Sequence, residues 1–106
     1  MLFRSRGDLD GAETAYTRSL TIREDLAGRL GTPESQRDLS ISLNNVAAIR
    51  RARGDLDGAE TAYTRSLEIF EDLAGRLGTP ESQRDLSVSL DNVAAIRRAR
   101  GDLDGA

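Results

Sequence analysis

The side chains available for chemistry in this chain are carboxylates, two tyrosines, amides, hydroxyls and guanidinium groups. It has no Cys, no His, and every one of its fifteen basic residues is Arg. Disulfides, thiolate or imidazole metal sites, Ser-His-Asp and Cys-His catalysis, Schiff bases and a Walker lysine therefore lack their essential groups. Asp, Glu, Tyr and Arg remain for acid–base work. No carboxylate pair stands apart from helix-start and surface charges, so no enzyme, metal or cofactor is expected. Two groups of polar residues do stand out. Asn44, Asn45 and Arg51 occupy positions that return 47 residues later as Asp91, Asn92 and Arg98. An amide presents both a donor and an acceptor. Arg50-Arg51-Arg53 and Arg97-Arg98-Arg100 form the second group. They could clamp an acidic tail through paired guanidinium contacts, or simply place cations at a helix C-terminus near the acidic start of the next helix.

These residues sit within an internal repeat. Arg-Gly-Asp-Leu-Asp-Gly-Ala starts at Arg6, Arg53 and Arg100, a step of 47 residues. Residues 7–53 and 54–100 differ at four positions only: Thr21/Glu68, Arg23/Phe70, Ile41/Val88 and Asn44/Asp91. Such near-identity points to a recent duplication or an engineered array. The 106 residues are thus expected to form a single array, with copy one at 7–53, copy two at 54–100, and remnants at 1–6 and 101–106.

Each copy contains two amphipathic stretches. Leu56, Ala59, Tyr63, Leu67, Phe70, Leu73, Ala74 and Leu77 recur at steps of three and four, which predicts a helix with one apolar stripe. Asp55 is its expected N-cap and Gly78 its left-handed C-terminal cap. Leu9 to Leu30 repeats this helix, B, in the first copy. Helix A is announced by Thr79-Pro80-Glu81, where Thr caps, Pro fits the first helical position and Glu meets the positive end of the dipole. Leu86, Leu90, Val93, Ala94 and Arg97 form its packing stripe, and Gly101 is expected to end it. The first helix A runs from about Pro33 to Arg53. Turns this short require antiparallel neighbours. A single hairpin leaves its stripe wet and stacked hairpins bury it, so the fold class expected is all-α, an α-solenoid of antiparallel helical hairpins.

Leu43-Asn44-Asn45-Val46-Ala47, Gly54-Asp55-Leu56, Ala59 and Tyr63 together resemble the tetratricopeptide repeat, in its long-helix, kinesin-light-chain-like variety. Leu90, Val93 and Ala94 repeat the pattern, as do Leu9, Ala12 and Tyr16. The resemblance spans nearly the whole chain. It departs from the family in its period, 47 residues against about 34. Arg50 and Arg97 also stand where an aromatic residue is common, and no Pro ends helix B. The resemblance implies a protein-interaction scaffold in which helix A lines a concave face. It further implies that Asn45 and Asn92 hydrogen-bond the backbone of a bound peptide. Asn44, Arg51, Asp91 and Arg98 share that face, and a purely local hydrogen-bonding role for the amides is the alternative.

Charge and hydropathy narrow the range of partners. A formal charge of −3 with interspersed signs argues against nucleic acid. No apolar run is long enough to span a bilayer, and Met1-Leu2-Phe3-Arg4 does not open a signal core, so a soluble, cytoplasmic chain with no membrane partner is expected. Arg-Gly-Asp is explained by turn chemistry rather than adhesion, and Asp-Leu-Asp-Gly lacks calcium-loop spacing. The helix order B-A-B-A leaves a front face on the first helix and a back face on the last. Head-to-tail homo-oligomerisation is therefore the alternative function, with two obstacles: Arg23 in place of Phe70, and competition between Gly101–Ala106 and Gly7–Ala12 of the next copy for one site.

Overall fold

In the computed structural model, which describes residues 6–103 and the side chains of 7–101, four helices follow one another without an intervening strand. They are α1 (Arg6–Leu30), α2 (Pro33–Ala52), α3 (Leu56–Leu77) and α4 (Pro80–Leu103). Each packs on its neighbour in sequence, α1 on α2, α2 on α3 and α3 on α4. The result is an all-α repeat solenoid.

The internal turns follow local chemistry. Thr32 accepts a hydrogen bond from the Ser35 amide at 3.1 Å, and Thr79 does the same for Ser82 at 3.1 Å. Pro33 and Pro80 occupy the first helical position, where no donor is lost. Asp55 accepts from the Gly58 amide at 2.9 Å and caps α3. Gly78 closes α3 at φ +61°, and Gly54 turns the chain between α2 and α3 at φ +88°. A side chain at either position would strain the backbone.

Packing divides into two clusters. Ala47, Ala59, Ala62, Tyr63, Val93 and Ile96 form one, across α2, α3 and α4. Ala27, Leu39 and Leu43 form the other, with Leu20 and Ile69 packed against it. The alanines allow the helices to approach closely, and each buried large side chain contributes about 1.5–3 kcal/mol.

Some expectations are corrected here. Among the described residues the heptapeptide makes a turn only at its middle occurrence. At the first, α1 already begins at Arg6 and passes through Gly7 and Asp8; at the third, α4 continues through Gly101 to Leu103. At Arg53–Asp55 a complete helix packs back after the turn and stabilises it. At Gly101 no further helix packs back among the described residues, and α4 runs on. Residues 1–5 and 104–106, the outer parts of the two remnants, lie outside the described residues. The packing stripe also holds unequally. Leu43 is 3% exposed but its equivalent Leu90 is 48% exposed, and Leu77 is exposed as well. α2 is flanked by α1 and α3, whereas α4 packs chiefly on α3.

Candidate interaction surface

All six candidate binding residues lie on α2 and α4, directed away from the packing stripe. Asn44 and Asn45 are half-buried and Arg51 is exposed; on α4, Asp91 and Arg98 are exposed and Asn92 is half-buried. Asn45, Arg51, Asn92 and Arg98 have no side-chain partner among the described residues. The Asn44 Oδ1 is buried and accepts no hydrogen bond. An unsatisfied buried acceptor costs about 1–3 kcal/mol. The spacing of 44/45, 48 and 51 keeps these residues on one helical face, and 91/92, 95 and 98 repeat it.

The rest of the arginine clusters is engaged within each hairpin. Arg50 and Arg53 on the α2 side reach Glu13 of α1 at 3.9 and 3.1 Å, and Arg53 also pairs with Asp10. Arg97 reaches Glu60 at 3.1 Å, and Arg100 pairs with Glu60 and Asp57. These pairs tie the end of each helix A to the start of the helix B before it. The clamp reading is thereby reduced to Arg51 and Arg98.

Glu60 is the carboxylate most affected. Hydrogen bonds from Arg100 and then Arg97 hold its carboxyl below the ordinary glutamate range, against an opposing effect of burial. The native state therefore binds fewer protons at Glu60 than the unfolded chain does in that range. The resulting stabilisation is complete above the unfolded value and is lost as pH falls through the lower folded value. In urea unfolding across a pH series, the advantage of the native sequence over Glu60→Gln should be full at neutral pH and should vanish in acid. A constant difference would show that Glu60 acts through packing alone.

Six buried serines escaped sequence reasoning, because serine reads as a surface or cap residue. Ser40 and Ser66 each donate to the other's carbonyl oxygen across α2 and α3, at 3.4 and 3.2 Å. Ser42 receives Arg23 Nη1 at 3.1 Å, and Arg23 also donates to the Asp38 carbonyl at 3.2 Å. In the second copy Phe70 replaces Arg23 and offers no donor. Ser89, the equivalent of Ser42, is accordingly buried with an unpartnered hydroxyl oxygen.

Among the described residues no group of three carboxylates is placed to hold a metal ion. None of the described helices is long and apolar enough to cross a membrane.

Two tetratricopeptide repeat family models match the sequence, one over residues 40–82 and the other over residues 1–30. The first match runs from α2 through α3 into the start of α4, and the second ends with α1. No curated protein and no solved structure matches the chain.

Proposed function

The chain belongs to the tetratricopeptide-repeat family, whose repeats mediate protein–protein interaction, and from that premise we propose that it binds an extended peptide segment of a partner protein along the face shared by α2 and α4. Asn45 and Asn92 present amides to the peptide backbone at equivalent positions of the two copies. Arg51 and Arg98 add a cation at the same end of each helix, where a partner carboxylate would meet a charge-assisted donor. Asn44 and Asp91 make the two copies unequal, neutral in the first and anionic in the second. The observation that carries this reading is that Asn45, Arg51, Asn92 and Arg98 have no side-chain partner among the described residues, while the neighbouring arginines are consumed by ion pairs within the hairpins.

Peptides selected from a displayed random library against the chain provide the test. Replacing both amides, Asn45→Ala with Asn92→Ala, removes two hydrogen-bonding groups without touching the core. At roughly 0.5–1.5 kcal/mol each, affinity should fall about tenfold or more with the thermal melt unchanged. Unaltered affinity for every selected peptide would sink the groove.

A second reading, in which copies of the chain assemble head to tail, is favoured by a separate observation. Tyr16, Leu26 and Leu90 are exposed where their equivalents Tyr63, Leu73 and Leu43 are buried.

A further inference from the structure

The junction between the two hairpins is bounded by contacts whose equivalents are open at both ends of the molecule. Arg37 of α2 donates from Nε to Asp85 of α4 at 2.8 Å. This bond holds the Arg37 guanidinium above its usual range. On the helix B side, Arg65 of α3 donates to Glu24 of α1 at 2.7 Å. Between these pairs, Ser40 and Ser66 exchange their reciprocal bonds. Every one of these contacts joins a residue of one copy to a residue of the other.

A shift of 47 residues turns each of the two ion pairs into a pair of unused halves. Arg37 becomes Arg84, on the back of the second hairpin, and Asp85 becomes Asp38, on the front of the first. Glu24 becomes Glu71, on the back, and Arg65 becomes Arg18, on the front. All four residues are exposed. Among the described residues their side chains make no hydrogen bond or close ion pair, the Asp38 carboxylate acting on Arg37 only through space. Each end therefore offers one cation and one anion, and the two ends are complementary in sign and position. Apolar residues between them follow the same rule. Leu90 lies on the back, while Tyr16, Ile22 and Leu26 lie on the front, all exposed.

We propose that the chain associates head to tail with a second copy in the register of its own α2–α3 junction, α4 of one copy lying on α1 of the next. Arg84 then pairs with Asp38 of the next copy, and Glu71 with Arg18 of the next copy. The proposal rests on the self-assembly reading and adds its register and its ion pairs. The helix ends allow it. Because α4 runs on to Leu103 and α1 begins at Arg6, each helix passes the level at which Gly54 turns the chain. The two extensions then lie side by side instead of competing for one site. A contact of this kind is heterologous, so it grows beyond a dimer instead of closing on itself. It is weaker than the internal junction, because Arg23 stands where the junction has the buried Phe70.

The test is sedimentation equilibrium of the full chain over rising concentration. The mean mass should climb past two chains, and Arg23→Phe should move the rise to lower concentration. Arg84→Asp and Asp38→Arg, each alone, put like charges across the contact and should weaken association about tenfold. An equimolar mixture of those two variants should recover it, because alternating copies restore opposite charges at every contact. Circular dichroism of each variant shows whether the exposed substitution has left the fold intact. A strict monomer at every concentration overturns both self-assembly and the register. Association that ignores the charge reversals, or that the mixture fails to recover, overturns the register and leaves self-assembly standing.

Discussion

Phe70→Arg should lower the unfolding free energy by about 3–5 kcal/mol, while Arg23→Phe at the equivalent position should gain no more than about 1 kcal/mol. The asymmetry comes from what covers each site. Phe70 is 4% exposed, near Pro33, Arg37 and Leu73 where the two hairpins meet. A guanidinium placed there loses the ring's burial and must be desolvated in its place. The free hydroxyl oxygen of Ser89 offers it one acceptor, which offsets only part of the cost. Arg23 lies at the open front beside a cavity of about 450 Å³ lined by Leu26, Thr32 and Arg37 among others. A Phe there stays partly wet, and it leaves Ser42 without the bond it now receives. Urea titration of both variants measures the difference. Equal and opposite effects would mean that the hairpins do not meet over Phe70.

Leu43→Ala and Leu90→Ala make the same chemical change at equivalent positions, yet the first should cost about 2–5 kcal/mol and the second less than about 1 kcal/mol. Leu43 is closed in by Leu39, Ala27 and Ile69. Leu90 has α3 on one side and no further helix on the other. Removing buried methyl groups leaves a cavity, whereas removing exposed ones returns a surface to water that was already wet. Thermal or urea unfolding at low concentration, where copies do not meet, gives the intrinsic values. At high concentration Leu90→Ala should also reduce self-association. Equal costs at low concentration would place the two leucines in similar environments and undo the stacking order.

Much of this molecule was legible in one dimension because helix starts and stops are local events. Thr32, Thr79 and Asp55 cap where their side chains reach an amide three residues on. Gly31, Gly54 and Gly78 take positive φ at the three turns between helices. The apolar stripe of α3 was equally plain, from Ala59 through Tyr63, Phe70 and Leu73. The binding face was legible only as a remainder, the polar positions left over once a packing stripe was assigned. Its unpartnered Asn44 oxygen, and the engagement of Arg50, Arg53, Arg97 and Arg100, depend on which helices lie beside them.

What the amino-acid order determined by itself was the set of helices, their caps and their twofold repetition, since these rest on hydrogen bonds and periodicities spanning a few residues. The tertiary arrangement decided everything that distinguishes one copy from another. A single heptapeptide makes a turn at Arg53–Asp55, is helical at its first occurrence, and is helical as far as Leu103 at its third. A single leucine position is buried in α2 and exposed in α4. Arg37 finds Asp85 across 48 residues, a pairing that no local spacing encodes. In each case the deciding quantity is the presence of a packed neighbour, whose burial of apolar surface outweighs the small differences among local conformations.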